Sequence, residues 1–475
     1  MKNKSKFFSV SFFPSEKCGV FGAFGDNMES ARLVHTGLWT LQHRGQESSG
    51  IASSEGTTIR VVKDEGLVAH VYNEELLSLL SGNIAIGHNR YGTSGGAGKM
   101  HAQPVTGTKN LVALAHNGNL PSVTKIKSFL EKKGIDTTLM NDSEMMHSAI
   151  EYYMSEGLSL EESVKKSFPL FTGVFSLLLM TNNQIAALRD SKGIRPLSLA
   201  KLNGGYVFSS ETCAFDALGA TYIRDVMPGE LVVIDSKGVH SYQIAKGDQK
   251  LDIFEFVYFS RPDSVLLGKS VNEVRKNLGR ILAKENNIDG DIVIPVPDSA
   301  IPAAIGYSEQ SKIPFDFGLI KNRYIHRTFI RPSQKLRERD VAMKLNPIPN
   351  LIKGKRVILI DDSIVRGTTS KKIVERILSA GAKEVHLLIS SPAVLYPDFY
   401  GINTPNQDDL IASMMSIKEM TKYINVTSLH FLSYKGLLEA IGLPESKLST
   451  SCFTGIYPVG IGERRKDIKR HPKVK

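Results

Sequence analysis

The run Val357-Ile358-Leu359-Ile360-Asp361-Asp362-Ser363-Ile364-Val365-Arg366-Gly367-Thr368-Thr369-Ser370 constrains the fold of this chain more than any other stretch. Its β-prone apolar start predicts a buried strand, two adjacent acids stand at the strand's carboxyl end, and a small-residue loop opens a helix at Lys371-Lys372-Ile373-Val374. In open α/β sheets, ligands bind outside the carboxyl ends of the strands. Asp361 and Asp362 can take ribose hydroxyls or a metal bound to them. The backbone N–H groups of Arg366, Gly367, Thr368, Thr369 and Ser370, with the helix N-terminus behind them, suit a 5′-phosphate. The expected ligand is a sugar phosphate.

At 475 residues the chain exceeds one ordinary core, so two domains of about 200 residues are expected. A hydrophobic content of 41% with 23% charged residues fits a globular protein. No apolar run approaches the roughly 18 residues that span a bilayer, so no membrane association is expected. The stretch from Lys2 to Lys17 has an apolar patch interrupted by serines and no small-residue cleavage site, which argues against a secretory signal. Cysteines at 18, 213 and 452 give neither a disulfide framework nor metal-ligand spacing, and point to a reducing cytoplasm.

The net charge of +11 raises the question of nucleic acid, and its location answers it. From Lys321 to Lys344 eight Lys/Arg face two acids, and from Glu463 to Lys475 seven face two, which together make up the whole excess. The rest of the chain is balanced, so no extended basic face and no nucleic-acid partner are expected. The terminal tail reads as a solubilising end.

Short β-rich runs and helices alternate from Cys18 to about Ser236, with strands expected at Gly19 to Phe24, Ile84 to Tyr91, Leu111 to Ala115, Val174 to Thr181, Tyr206 to Ser209 and Glu230 to Asp235. Helices are expected at Ser122 to Lys133 and Ser143 to Ser155. The second half has a βαβ rhythm: helix Val271 to Asn287, strand Asp291 to Pro295, helix Ala300 to Gln310, strands Phe315 to Ile320 and Val357 to Ile360, helix Ser370 to Ala380 and strand Glu384 to Ser391. That rhythm predicts a doubly wound parallel sheet. The polar stretch beginning at Lys237 is the expected linker, and no internal repeat is present.

Five clusters punctuate the first half: Cys18-Gly19-Val20-Phe21-Gly22, His43-Arg44-Gly45-Gln46-Glu47, Asn89-Arg90-Tyr91-Gly92-Thr93, His116-Asn117-Gly118-Asn119-Leu120 and Asn141-Asp142-Ser143-Glu144. Singly, each polar cluster reads as a turn or cap, and a buried cysteine is more often packing than chemistry. In this order and spacing they resemble the glutaminase domain of the N-terminal nucleophile amidotransferases, over about 220 residues. The resemblance implies an αββα sandwich over 18–236, with Cys18 as nucleophile. A cysteine in first position carries an α-amine of pKa about 8, able to serve as base for a thiol of pKa about 8.5. It further implies an oxyanion hole from Asn117 and the Gly118 N–H, Arg90 on the L-glutamine carboxylate, Asp142 on its ammonium, Thr93 nearby, and Arg44 and Gly45 shaping the pocket. An amide nitrogen at Cys18 is no base, so residues 1–17 are expected to be a propeptide.

The acid-pair run resembles the 5-phosphoribosyl 1-pyrophosphate (PRPP) site of type I phosphoribosyltransferases, expected here over 253–445 after a linker at 237–252, with 446–475 as a C-terminal segment. Asp361, Asp362, Ser363, Arg366, Gly367, Thr368, Thr369 and Ser370 would bind PRPP, and Ser299 of Pro295-Val296-Pro297-Asp298-Ser299 would join Asp361 and Asp362 at one Mg²⁺ per subunit. The run from Tyr258 to Ser264 follows the same pattern. Lys321 and Arg323 begin the basic segment to Lys344, which matches a loop that folds over PRPP, neutralises the pyrophosphate and excludes water. Many propeptide-bearing members hold a [4Fe–4S] cluster on four cysteines. The corresponding residues here are Asp252, Asp398, Ser449 and Cys452, so no iron–sulfur cluster is expected.

The two halves together imply conversion of PRPP, glutamine and water to 5-phosphoribosylamine, pyrophosphate and glutamate, with purine nucleotides as inhibitors and a homotetramer or homodimer as the assembly. A PRPP-sensing regulator with a degenerate enzyme fold would leave the glutaminase clusters unexplained. An amidotransferase acting on another acceptor would leave the Asp361 to Ser370 run unexplained.

Overall fold

The computed structural model describes residues 18–91, 99–322, 345–400, 404, 406–469, 472 and 474. The β-rich runs of the first half pair into two antiparallel sheets. One is seven-stranded, in the order Thr221–Asp225, Ser198–Leu202, Gly205–Ser209, Gly19–Phe24, Ile84–Arg90, Ser48–Ser54, Ile59–Glu65. The other is six-stranded, in the order Gly238–Gln243, Glu230–Asp235, Ile185–Arg189, Val174–Met180, Ala113–Asn119, Val105–Thr106. Strand Gly19–Phe24 is buried throughout because both of its faces are covered. Phe21 and Ala23 pack with Val34 and Leu38 of helix Ser30–Thr40, while Val20 and Phe24 pack with Ala113, Ala115 and Leu178 of the facing sheet. Helices Thr124–Lys132, Asp142–Ser155 and Leu160–Ser167 cover the outer face of the second sheet through Ile126, Met146 and Val164. The result is the expected αββα sandwich.

In the second half, Ile292–Pro295, Arg356–Asp361, Glu384–Ile389 and Ser428–Phe431 form a parallel sheet in that order. The apolar run of the second of these strands divides by alternation. Ile358 and Ile360 pack against helices Val271–Glu285 and Ile301–Ser311, whereas Val357 and Leu359 pack against Thr368–Ser379 and Ile417–Ile424. Covering both faces is what a doubly wound sheet requires. After Ile292–Pro295 the chain passes outward to Phe315, which bridges Val293 in parallel, and then returns to the other side of that strand as Arg356–Asp361. The order reverses there, so the crevice at a switch point opens between Ser299 and the acid pair.

Three expectations are corrected. The strand expected at Phe315 to Ile320 is reduced to the Phe315 bridge plus Leu319–Lys321, because a turn intervenes in which the Gly318 N–H bonds back to the Asp316 carbonyl at 3.0 Å. The strand expected at Leu111 to Ala115 runs instead over Ala113–Asn119, paired with Val174–Met180, so the His116 to Asn119 cluster lies in a strand rather than a turn. The stretch 237–252 is not a linker throughout. Asp235 Oδ1 accepts from the Lys237 N–H at 2.8 Å and closes a hairpin, which makes Gly238–Gln243 an edge strand of the sandwich. Leu251–Asp252 pairs in parallel with Leu448–Ser449, tying the C-terminal segment to the junction between the halves.

Helices Val271–Glu285 and Ile301–Ser311 meet backbone to backbone. A Cβ on Gly279 would stand 1.8 Å from the Ala303 carbonyl oxygen, and one on Gly306 would stand 2.0 Å from that of Lys276. Alanine is ordinarily the better helix former by about 1 kcal/mol. Here Gly279→Ala and Gly306→Ala should each destabilise by about 1–3 kcal/mol through overpacking. Differential scanning calorimetry should show a lowered transition for both, and a raised one would contradict the close approach.

Candidate functional site

Cys18 directly precedes strand Gly19–Phe24, whose neighbour Ile84–Arg90 pairs Asn89 with Gly19. That register brings Arg90 and Tyr91 alongside the thiol. The Tyr91 N–H points at Sγ from 3.5 Å. Burial pushes the thiol up from its ordinary range, Arg90 and Arg44 pull it down, and Asp142 pushes it up. A thiol held up in this way needs a base before it can act as a nucleophile.

Asn117 and Gly118 lie on strand Ala113–Asn119, and the Asn117 Nδ2, fully buried, has no hydrogen-bond partner among the described residues. Buried polar groups are normally paired, so an orphan donor marks a place where something else binds. Gly118 sits so close to the next strand that a Cβ would be 2.0 Å from the Val174 carbonyl oxygen. The adjacent His116 N–H donates to Gln103 Oε1 at 2.7 Å, on the side away from strand Val174–Met180. In a strand that direction recurs every second residue, so the Gly118 N–H faces the same way. Asp142 opens helix Asp142–Ser155 behind an Asn141 and Glu144 capping box, and its Oδ2 accepts from the Leu120 N–H at 3.1 Å. Ser143 Oγ bonds His116 Nδ1 at 2.9 Å and accepts from Gln103 Nε2 at 3.1 Å, which fastens the helix start to the Asn117 strand.

Arg90 ends its strand almost fully buried, with Glu47 at 3.3 Å from its Nη1. Gly45 is extended against the backbone of Asn89, where a Cβ would come within 2.6 Å. Thr93 lies outside the described residues, as does Arg323. Arg44 turns inward. Its Nε donates to the Cys18 carbonyl at 3.2 Å, its Nη1 to Glu211 and to Glu255 at 3.1 Å, and its Nη2 to Glu255 at 2.9 Å. Its guanidinium therefore holds the Cys18 backbone. Glu211 also binds His43, the Ser264 hydroxyl at 2.7 Å and the Arg261 N–H at 2.9 Å. Arg195, equally buried, pairs with Asp252 at 3.0 Å and Glu255 at 3.5 Å. Sequence reading missed Glu211, Glu255 and Arg195, since their partners are remote in the chain and no local spacing marks them.

The second site forms at the switch point. Asp361 and Asp362 are buried and adjacent, and Ser299 Oγ donates to Asp362 Oδ2 across the crevice. Ser363 Oγ donates to Asp362 Oδ1 at 2.6 Å. Burial and the Asp362 charge push Asp361 well above the usual carboxylate range, and burial raises Asp362 against the opposing pull of Ser299, Ser363 and Arg275. An acid pair held this way favours a bound cation. Gly367 takes the left-handed conformation at φ 72°, which turns the chain into helix Thr368–Ser379 and places Thr368, Thr369 and Ser370 at its N-terminus. Arg366 pairs with Asp409 at 3.0 Å, and Lys321 with Asp298 at 2.6 Å.

Asp252, Asp398, Ser449 and Cys452 do come together. Asp252 is the register partner of Ser449, and both Asp252 and Asp398 act on the buried Cys452 thiol, which burial has already pushed far up. With Asp252 committed to Arg195 and Asp398 bonded to the Tyr400 N–H at 2.8 Å, this donor set does not fit a thiolate-held cluster.

Comparison with known proteins finds a family for each half. Residues 88–217 match a glutamine amidotransferase domain and residues 267–393 a phosphoribosyl transferase domain. Amidophosphoribosyltransferase of Synechocystis sp. is 47% identical over 94% of this chain and 92% of that protein. That of Bacillus subtilis is 44% identical over 94% and 95%. The solved glutamine PRPP amidotransferase of B. subtilis, complexed with ADP and GMP, superposes with a TM-score of 0.87 at 43% identity, covering 94% of this chain and 98% of the other. The chain thus belongs to the amidophosphoribosyltransferase family.

Proposed function

We propose that this chain, a member of a family whose activity is the first step of purine biosynthesis, takes nitrogen from L-glutamine at Cys18 and delivers it to PRPP at the Asp361–Asp362 crevice. The observation that carries the reading is the presence in one chain of a buried amide donor without a partner among the described residues, in the sandwich that carries Cys18, and of a buried acid pair at a sheet's switch point.

In the first half-reaction the Cys18 sulfur attacks the side-chain amide carbon of glutamine. The carbonyl electron pair moves to oxygen, where Asn117 Nδ2 and the Gly118 N–H receive it. Arg90 and Asp142 hold the substrate carboxylate and ammonium. The α-amine of Cys18 takes the thiol proton and passes it to the leaving nitrogen, releasing ammonia. Water then cleaves the thioester to glutamate. This requires removal of residues 1–17, because only a free amine is a base at this position.

In the second half-reaction ammonia attacks the anomeric carbon of PRPP as the bond to pyrophosphate breaks, giving 5-phosphoribosylamine. The N–H groups of the Arg366 to Ser370 loop hold the 5′-phosphate. Ser299, Asp361 and Asp362 would hold Mg²⁺ as oxygen ligands, and the ion would neutralise pyrophosphate charge. Substrate and water would supply the remaining ligands of such an ion. Lys321, where the basic segment begins, is the described residue assigned to the leaving group, and Arg323 with the rest of the segment lies outside the described residues. Purine nucleotides are the feedback inhibitors in this reading, as the ADP and GMP of the B. subtilis complex suggest, and the subunits form a homotetramer or homodimer in the cytoplasm. No described helix is long and apolar enough to cross a membrane.

Glutamine-dependent release of pyrophosphate from PRPP tests the reading, and its absence under all conditions would overturn it. Intact mass and N-terminal sequencing should place the mature start at Cys18. Cys18→Ala should abolish glutamine use while ammonia-dependent synthesis persists, and an active enzyme still carrying Met1 would exclude the α-amine as base.

Asp361→Asn and Asp362→Asn should each lower PRPP turnover at least about a hundredfold with either nitrogen donor, the scale of removing one preorganised charge from a reacting centre. Cys18 labelling should be unaffected. Normal ammonia-dependent rates in both variants would remove these acids from the site. The purified enzyme should contain no iron and show no visible absorption band, and stoichiometric iron with sulfide would contradict the assignment of Asp252, Asp398 and Ser449.

A further inference from the structure

One buried acid of the transferase half reaches into the glutaminase half. Glu255 begins the π-helical turn Glu255–Phe259, just past the junction, and is 0% exposed. Its Oε1 accepts from Arg44 Nη2 at 2.9 Å and its Oε2 from Arg44 Nη1 at 3.1 Å, while Arg195 Nη1 stands 3.5 Å from Oε1. The Ser260 hydroxyl donates to Oε2 at 2.7 Å. Both arginines belong to the sandwich. Arg44 in turn grips the Cys18 carbonyl through Nε at 3.2 Å.

We infer that Glu255 is a positioning residue of the glutaminase, supplied by the transferase half, which fixes the plane of Arg44 and through it the backbone of Cys18. The inference rests on the reading of Cys18 as the nucleophile. A carboxylate that meets a guanidinium through two N–H groups sets its orientation as well as its distance, because the guanidinium is planar and rigid. Cys18 needs that control twice over. Its sulfur must reach the amide carbon, and its nitrogen, one bond from the same Cα, must reach the sulfur's proton. A misplacement of about 1 Å in such a geometry costs on the order of a hundredfold in rate. The charged groups acting on the thiol are Arg90, Arg44 and Asp142. Those on Arg44 are Glu255 and Glu211, with His43 sharing Glu211.

The arrangement separates nucleophile placement from substrate binding. Arg90 and Asp142, which the proposed reaction assigns to the ends of glutamine, are held by other groups, Arg90 by Glu47 and Asp142 by the Leu120 N–H. A change at Glu255 therefore reaches kcat and not KM. It also changes the field at Cys18, since an Arg44 freed of one of its two acids exerts more of its charge on the thiolate.

The test compares wild type, Glu255→Gln and Glu255→Asp as full, matured enzymes in three measurements. These are glutamine-dependent turnover, ammonia-dependent pyrophosphate release from PRPP, and the pH dependence of Cys18 alkylation by iodoacetamide. Glu255→Gln should lower the glutamine-dependent kcat at least about tenfold while KM for glutamine stays within about twofold. Its ammonia-dependent rate should also stay within about twofold of wild type, because the reacting ribosyl centre is untouched. The alkylation midpoint should move to lower pH. Glu255→Asp keeps the charge but withdraws the carboxylate, so it should lose kcat with the midpoint in place. This variant carries the test should Glu255→Gln fail to fold. Unchanged kcat in both variants would overturn the inference. So would a parallel loss of glutamine- and ammonia-dependent rates with a lowered unfolding temperature and an unmoved midpoint, which is the behaviour of simple packing. Failure of the underlying reading would be visible separately, as a wild-type enzyme that consumes no glutamine.

Discussion

Arg44, Arg195, Glu211, Asp252 and Glu255 form a buried ion network between the two halves, and the placement of the Cys18 backbone depends on it. Such a network gains little net stability, because stripping water from each charge costs about what the pairing returns. Its effect lies in specificity. Removing one partner leaves an uncompensated charge at a cost of about 3–5 kcal/mol, so the halves have one docked arrangement in which every charge is met. His43, the Ser264 hydroxyl and the Arg261 N–H complete Glu211, and the Ser260 hydroxyl completes Glu255. Burial raises Asp252 to about 6, and the proximity of Glu255 adds to desolvation against the pull of Arg195, the Phe254 N–H and Arg44.

The same segment leads on to the transferase site. Arg275 donates to the carbonyls of Phe256 and Ser260 at 2.8 Å, and its charge bears on Asp362. A second tie runs along the other side, where Asn119, two residues beyond Asn117, donates to the Phe399 carbonyl at 2.7 Å. Further along, Asp409 holds Arg366 of the phosphate loop. The strand of Asn117 and the loop of Arg366 are therefore each buttressed by residues of the C-terminal third, where Tyr400, Ile461, Val174 and Ile194 share one small apolar cluster. The two halves are thus held by common supports.

Much of this was legible in local pattern. The strand, acid pair and loop from Val357 to Ser370 form a self-contained unit, since strand, turn and helix signals lie within a few residues of one another. Asn141 with Glu144 read as a cap and is one. The glutamine amidotransferase domain was legible because a particular order of polar clusters is rare. The His116 to Asn119 cluster misled because polar residues and glycine signal turns, whereas here a strand carries them into a site and cross-strand pairing overrides the local preference. The hairpin at Gly238 misled for the converse reason. An edge strand with one solvated face has too little apolar pattern to stand out from a linker.

What the sequence by itself determined is the local chemistry: an acid pair ahead of a phosphate loop, a cysteine ahead of a strand, and cluster positions lacking thiols. What only the tertiary structure decided is adjacency. The strand order that puts Ser299 across from Asp362 depends on which way the chain turns after Pro295, and hydrophobic alternation is the same for either turn. Asn117 Nδ2 becomes an orphan donor only when two sheets close over it. Arg44 and Glu255, 211 residues apart, become partners only when both halves are folded and docked. An ion pair carries no periodicity, so no window of sequence records it.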